Sequence, residues 1–265
     1  MRGRAAALAL AVASYAHAQD ADPHDAQPER PTVATHAYTV APGWSEIEFG
    51  LEFDRAESTH VFSTPATWKV GLAKRLQIEA TTFFVRRSDG ATAQGMGDLF
   101  LSLKWRLADT LPVLGDFAIQ PSVELPTGSA ATSNGQTVGE FLFISSNHFG
   151  PAELDVNAGW IERLNDRATA PPTAAIWTVS LGVAVKGAFG WTMEVYGYPG
   201  THGAVGSAPI VGLLTGPTYI VHPWFVADVG LKLPLDGPQP HAFYVGLTWN
   251  MGQLWVADRA TAPSR

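Results

Sequence analysis

Apolar and polar side chains alternate between Trp44 and Asp54. Positions 47, 49, 51 and 53 carry Ile, Phe, Leu and Phe, whereas positions 46, 48 and 52 carry Glu and position 50 carries Gly. Successive side chains of a strand point to opposite faces, so this segment separates an apolar medium from a polar one. The same pattern recurs about a dozen times along the chain. It predicts an all-β fold, a transmembrane antiparallel β-barrel.

The alternation defines twelve candidate strands, at 44–54, 66–73, 76–86, 96–107, 116–125, 139–147, 152–162, 176–186, 190–198, 208–215, 219–232 and 242–250. Their connections alternate in length. The long ones are 55–65, 87–95, 126–138, 163–175, 199–207 and 233–241, and the short ones are 74–75, 148–151, 187–189 and 216–218, with 108–115 intermediate. Bacterial barrels have short periplasmic turns and longer outer loops. A soluble β-sandwich is the alternative, but it would not require this alternation.

The N-terminus predicts export. Residues 1–4 are basic, residues 5–14 are small and apolar, and Ala16-His17-Ala18 fits a cleavage site, so 1–18 is read as a signal peptide. No later run reaches the roughly 18 apolar residues of a spanning helix. Residues 19–43 show neither the strand nor the helix periodicity of apolar residues, and they are predicted to form a periplasmic arm or plug. The barrel is then 44–250, followed by a C-terminal tail at 251–265.

Composition excludes several classes of function. The formal net charge is −7, and cleavage would remove two arginines and no acid, so a nucleic-acid partner is not expected. The chain contains no cysteine, which excludes disulfides and sulfur ligands. No spacing indicates a metal or a cofactor.

The parity of a residue, that is its odd or even position along a strand, also predicts which charged residues line the lumen. Eleven acids face five bases, and in a water-filled lumen this excess would favour cations. Glu140 is among the acids, although its neighbours at 141–144 are apolar on both parities. The other lumen-lining candidates, with a hypothesised role in selectivity, are Glu46, Glu48, Glu52, Lys69, Glu79, Asp98, Lys104, Arg106, Glu124, Glu153, Asp155, Lys186, Glu194, Asp228 and Lys232.

Several motifs carry a resemblance to a known family. They are Arg30-Pro31-Thr32, the segments 40–43 and 46–48, Gly95-Met96-Gly97-Asp98 leading into Leu103-Lys104, and the segment 121–128. Together they resemble the outer-membrane family named for the MetA pathway of phenol degradation, over roughly residues 30–250. The resemblance implies a twelve-stranded, transporter-like barrel, loosely related to channels for hydrophobic compounds. Many outer-membrane barrels end on an aromatic residue, whereas this chain continues past its last strand. Trp249, within that strand, would serve as the terminal aromatic residue.

Two prolines lie inside predicted strands. A closed barrel has no edge where a missing N–H is harmless, so Pro121 and Pro223 are predicted to mark breaks in the wall. Each break would be a bulge near the membrane interface or a lateral exit for an apolar solute.

Catalytic residues are poorly indicated, because the histidines are scattered over the arm, loops and turns. Ser145 and Ser146 near His148 provide the one candidate pair for an outer-membrane hydrolase. We predict instead a non-enzymatic bacterial outer-membrane channel for passive uptake of small organic, including hydrophobic or aromatic, compounds. Its expected partners are outer-membrane lipids and the solute. A structural or adhesive barrel is the main alternative, and the sequence does not indicate an oligomeric state.

Overall fold

The computed structural model describes residues 22–133, 135–165, 173–198 and 209–256. The predicted signal peptide and the tail beyond residue 256 lie outside these ranges. Within them the chain forms thirteen strands: β1 Trp44–Ala56, β2 Thr59–Ala73, β3 Leu76–Ser88, β4 Thr92–Met96, β5 Leu99–Leu111, β6 Gly115–Leu125, β7 Val138–Phe149, β8 Ala152–Arg163, β9 Thr173–Lys186, β10 Phe189–Tyr198, β11 Ile210–His222, β12 Phe225–Asp236 and β13 His241–Gln253.

The strands close into one antiparallel barrel. Strands that are neighbours in sequence pair with each other, except β4 and β5, which both pair with β3, and β1 also pairs with β13. Strands β4 and β5 therefore lie end to end against β3, as one wall strand interrupted at Gly97 and Asp98. The wall has twelve strands, which confirms the predicted fold class.

Alternation places the apolar side chains outside and the charged ones inside. Phe53, Trp105 and Trp191 are exposed on the outer face. Glu46 and Lys104, on the opposite parity, are completely buried. This segregation is expected of a barrel in lipid, because a charge at the bilayer midplane costs about 2–4 kcal/mol. No helix formed by the described residues is long and apolar enough to cross a membrane.

The two ends of the barrel differ in their connections. We call the end with the connections 74–75, 112–114, 150–151, 187–188 and 223–224 the turn end, and the opposite end the loop end. The loop end carries the long connections 126–137, 164–172 and 199–209. Strand β1 begins and β13 finishes at the turn end.

Several predicted connections were wrong. The expected loop 87–95 contains most of β4, so the actual connection is only 89–91. The expected loop 55–65 is a two-residue hairpin, because Glu57 adopts a positive φ of 48° and allows β2 to begin at Thr59. The expected turn 216–218 lies inside β11, and the chain turns at 223–224 instead. The Gly216-Pro217 pair was read as a turn signal, yet Pro217 pairs with Trp191 on β10.

Four prolines lie within strands of the wall. Pro234 lies beyond the last residue of β12 that pairs with β13, and each of the other three interrupts pairing on one side only. Pairing between β5 and β6 is interrupted at Pro121, although Pro121 pairs with Phe141 on β7. Pro65 and Pro217 show the same arrangement, with interruptions toward β1 and β12 respectively. In all three cases the register is unchanged across the gap. The predicted wall break at Pro223 was wrong, because this residue lies in the turn between β11 and β12.

Replacing Pro121 with Val should restore the missing β5–β6 hydrogen bond and stabilise the barrel by about 1 kcal/mol. The melting temperature, followed by the heat-dependent shift in gel migration, should rise. Pro223→Val is the matched control and should leave it unchanged, because a residue in the turn has no wall bond to regain. An unchanged melting temperature in Pro121→Val would mean that its neighbours already satisfy the ladder.

Candidate functional site in the barrel lumen

Residues 22–43, which we call the arm, lie inside the barrel. Their backbone N–H groups donate to side chains on opposite sides of the wall: Gln27 to Glu46 on β1 at 2.7 Å, Thr35 to Asn157 on β8 at 2.7 Å, Ala37 to Ser146 on β7 at 2.9 Å and Val40 to Gln77 on β3 at 2.6 Å. The arm therefore enters from the turn end, crosses the lumen and returns to the turn end before β1 begins.

Arg30 fixes the innermost part of the arm. Its guanidinium lies against two inward-facing glycines that pair with each other, Gly50 on β1 and Gly246 on β13. A Cβ at Gly50 would lie 2.6 Å from this group, so only glycine leaves room for it. The Arg30 Nε lies 3.7 Å from Asp228 Oδ2 on β12. Steric fit against the two glycines and attraction to Asp228 therefore hold Arg30 at the same position of the wall.

Glu194 is held by the backbone of the arm. The N–H groups of Val33 and Ala34 donate to its two carboxylate oxygens at 2.8 and 2.7 Å. Glu48 similarly accepts from the N–H of Glu29 at 2.7 Å. Charge-assisted bonds of this kind are about twice as strong as neutral ones. Together with Glu46, which accepts from Gln27, three of the predicted lumen acids therefore serve as acceptors for the arm.

The buried lysines link the arm to the wall. Lys69 forms ion pairs with Glu46 and Glu48, the latter at 2.8 Å, and donates to the Gln27 carbonyl at 2.6 Å. Lys104 forms an ion pair with Glu29 of the arm and donates to the Thr35 hydroxyl at 2.6 Å. Each lysine thus bridges the two parts of the protein.

The remaining predicted residues lie apart from this network or at its margins. Glu79 lies 3.7 Å from Lys104. Lys232 donates to both oxygens of Glu52 at 2.7 Å nearer the loop end. Arg106 pairs with Asp109 at 3.0 Å, and Asp98 accepts from the Gly128 N–H at the β4–β5 interruption. Three further candidates are partly buried or exposed: Glu124, Glu140 and Lys186.

Apolar packing also holds the arm. Val33 packs against two clusters on different parts of the wall. One cluster includes Leu142 and Ile144 of β7, and the other contains Tyr196 and Tyr244. Val33 therefore fills the space between β7 and β13 at the level where the arm crosses the lumen.

Two arm residues have perturbed protonation. Burial, reinforced by the charge of Lys69, lowers the pKa of His36 to about 4, so its imidazole is neutral at pH 7. Burial, together with the carboxylates of Glu153 and Asp155 among others, raises the pKa of Tyr38. The Tyr38 hydroxyl therefore stays protonated, and it lies 2.6 Å from His148 Nε2 on β7.

A cavity of about 370 Å³ lies beside the arm at the turn end. The arm contributes residues 25–30 together with Tyr38, and the wall contributes apolar side chains such as Ile220 and Val226. Glu153 and Asp155 on β8 supply negative charge. No group of three or more potential metal ligands occurs among the residues that the structure describes.

The serine–histidine arrangement does not resemble a hydrolase site. Ser146 donates to Asp155, and Ser145 donates to the Leu114 carbonyl at 2.7 Å. His148 instead faces Tyr38. The hydroxyls are thus engaged away from the imidazole.

Sequence reasoning missed the neutral residues that bind the arm. Asn157, Ser146 and Asn250 are buried and contact it. Parity would have placed them inward, since Asn157 follows Glu153 and Asp155 at even spacing. The inward glycines Gly50 and Gly246 carried no signal without knowledge of Arg30.

Comparison with known proteins shows the fold. No family model matches the sequence, and neither does any curated protein. The structure is similar to the COG4313 outer membrane channel from Pseudomonas putida F1, with a TM-score of 0.61 and 14% identity over 80% of this chain and 97% of that chain. It is also similar to the KdgM porin, with a TM-score of 0.50 and 10% identity over 78% and 99% of the two chains. The chain therefore has the fold of outer-membrane barrels.

Replacing Gly50 with Ala should displace Arg30 and loosen the arm by about 1–3 kcal/mol, because the added methyl overlaps the guanidinium. The native chain has no cysteine, so a single Thr32→Cys substitution allows the maleimide labelling rate to report arm release. We expect labelling at least about fivefold faster. Gly182→Ala is the matched control, since a Cβ there meets open space. Equal rates in both variants would contradict the proposed role of the glycine contact.

Proposed function

We propose that the protein is an outer-membrane channel for passive uptake of small organic molecules, in which the arm acts as a plug. The main supporting observation is the position of the arm, which crosses the lumen and binds both sides of the wall through hydrogen bonds, ion pairs and apolar contacts. Such contacts can be exchanged for water without breaking the strand ladder. The plug can therefore leave while the barrel stays intact.

The asymmetry of the ends supports an orientation. Short turns face the periplasm in bacterial barrels, so the turn end is assigned to the periplasm and the loop end to the exterior. The arm and the cavity then lie on the periplasmic half of the path. A solute entering from outside would meet the arm before it reaches the cavity.

The lining of the cavity supports a solute that is small and partly apolar. Ile220 and Val226 offer an apolar surface beside the carboxylates of Glu153 and Asp155. The size and mixed lining are those of sites for small organic ligands. The resemblance to a family related to channels for hydrophobic compounds favours the same class. The two similar structures, an outer membrane channel and a porin, also support a role in transport.

The alternative of a structural or adhesive barrel does not require an arm inside the lumen or a cavity beside it. A hydrolase is disfavoured by the separate hydrogen bonds of Ser145, Ser146 and His148.

Exit of an apolar solute through the wall at Pro121 is a narrower hypothesis about the route of transport. Uptake of such a solute that is unchanged in Pro121→Val would count against it.

Deleting residues 22–40 should raise the single-channel conductance in planar bilayers. The reason is that the deletion removes the segment that crosses the lumen, while Lys104 and Glu194 become hydrated. The heat-dependent gel shift should show that the barrel still forms, because the strand ladder contains none of these residues. Unchanged conductance from a correctly formed barrel would contradict the plug, and absence of conductance in both forms would favour the structural alternative.

The deleted form should prefer cations, because eleven acids and five bases share the inward parity. Reversal potentials in a potassium chloride gradient measure this preference. Glu153→Gln combined with Asp155→Asn should reduce it, since both carboxylates line the cavity. Glu52→Gln combined with Lys232→Gln is the control, because it removes one charge of each sign. Anion preference in the deleted form would contradict the role assigned to the inward acids.

A further inference from the structure

The outer face of the wall carries a row of basic residues at the loop end. Arg55 on β1 pairs in register with His241 on β13 and with His60 on β2, so the three side chains lie next to one another. Arg86 on β3 lies one step closer to the middle of the barrel, opposite Phe62. All four are exposed. They share the parity of the apolar residues that face away from the lumen.

A row of phenylalanines lies directly beneath. Phe53 pairs with Phe243 and with Phe62, and its ring centroid lies 6.5 and 5.0 Å from theirs. Aromatic residues mark the boundary of the hydrocarbon on outer-membrane barrels. Arg55, His60 and His241 lie two residues farther along the strands, or about 7 Å, at the level of lipid headgroups. Arg86 is level with Phe62, at the boundary itself.

The basic row has no acidic partner in the part of the chain that the structure describes. None of its four residues forms an ion pair with another residue in the described part of the chain, although four of the five inward bases do. Arg87, the sequence neighbour of Arg86, has the opposite parity and pairs with Asp89 at 3.2 Å. Glu57, the acid in the adjoining hairpin turn, forms no such pair. Exposed positive charge without a partner is notable in a chain of net charge −7.

We propose that this face binds a phosphorylated lipid of the leaflet at the loop end, an inference that rests on the proposed outer-membrane function and orientation. The guanidinium groups of Arg55 and Arg86 bind phosphate oxygens, because the planar fork of arginine matches phosphate geometry. The two histidines donate N–H groups from the same row. The acyl chains of the lipid lie along Phe53 and its aromatic neighbours.

The test uses the exported full-length chain in detergent, with binding measured by native mass spectrometry. The probes are lipid A carrying two phosphates, the same lipid without phosphate, and inorganic phosphate. The phosphorylated lipid should bind, and Arg55→Gln combined with Arg86→Gln should weaken binding at least about tenfold, because two charge-assisted contacts are lost. Arg87→Gln, on the other face of β3, is the matched control and should bind like the unmodified protein.

Several outcomes would overturn the proposal. Equal binding of the lipid without phosphate would show that the acyl chains alone are recognised. Competition by inorganic phosphate at the concentration of the lipid would indicate a simple anion site. Unaltered lipid binding in the double variant would exclude the two arginines as phosphate-binding groups, provided that the heat-dependent gel shift shows a formed barrel. The conductance of the full-length and the deleted form is measured in parallel, so absence of conductance in both forms with retained lipid binding would count against the proposed function alone.

Discussion

The burial of charge inside a narrow barrel is the constraint on which the lumen depends. An ion removed from water costs several kcal/mol unless a partner compensates for it. The wall alone supplies part of the compensation, as in the pairing of Lys69 with Glu46 and Glu48. The arm supplies the rest through Glu29, Arg30 and its own N–H groups. Arm and wall are therefore two parts of one electrostatic unit.

The division of the compensating groups between the wall and the arm explains which features could be predicted from the sequence. The alternation of side chains gave the closed barrel and the inward side of Glu46, Lys104 and Glu194, because a strand has a period of two. The odd or even position of a residue along a strand predicts whether its side chain faces the lumen or the lipid. It does not predict which group that side chain contacts. The two oxygens of Glu194 accept from backbone N–H groups, which every residue except proline possesses. No pattern in residues 22–43 could therefore reveal that contact.

The errors in the strand boundaries have a related cause. Gly216 and Pro217 are typical turn residues, yet they lie within β11 because an antiparallel ladder can lose bonds on one side while the other side stays paired. A Cβ at Gly216 would lie 2.0 Å from the Val229 carbonyl oxygen, so the two backbones remain close across the interruption. Local turn signals could not be weighed against the pairing of distant strands.

The interruption between β4 and β5 has a consequence for the outside of the barrel. Strand β4 pairs with β3 on one side only, which leaves the other side as a sheet edge. Ser129 covers that edge: its N–H donates to the Met96 carbonyl at 2.9 Å, and its hydroxyl accepts from the Met96 N–H at 3.0 Å. Exposed edges allow strands from other molecules to add. The loop after β6 thus protects the protein against edge-to-edge aggregation.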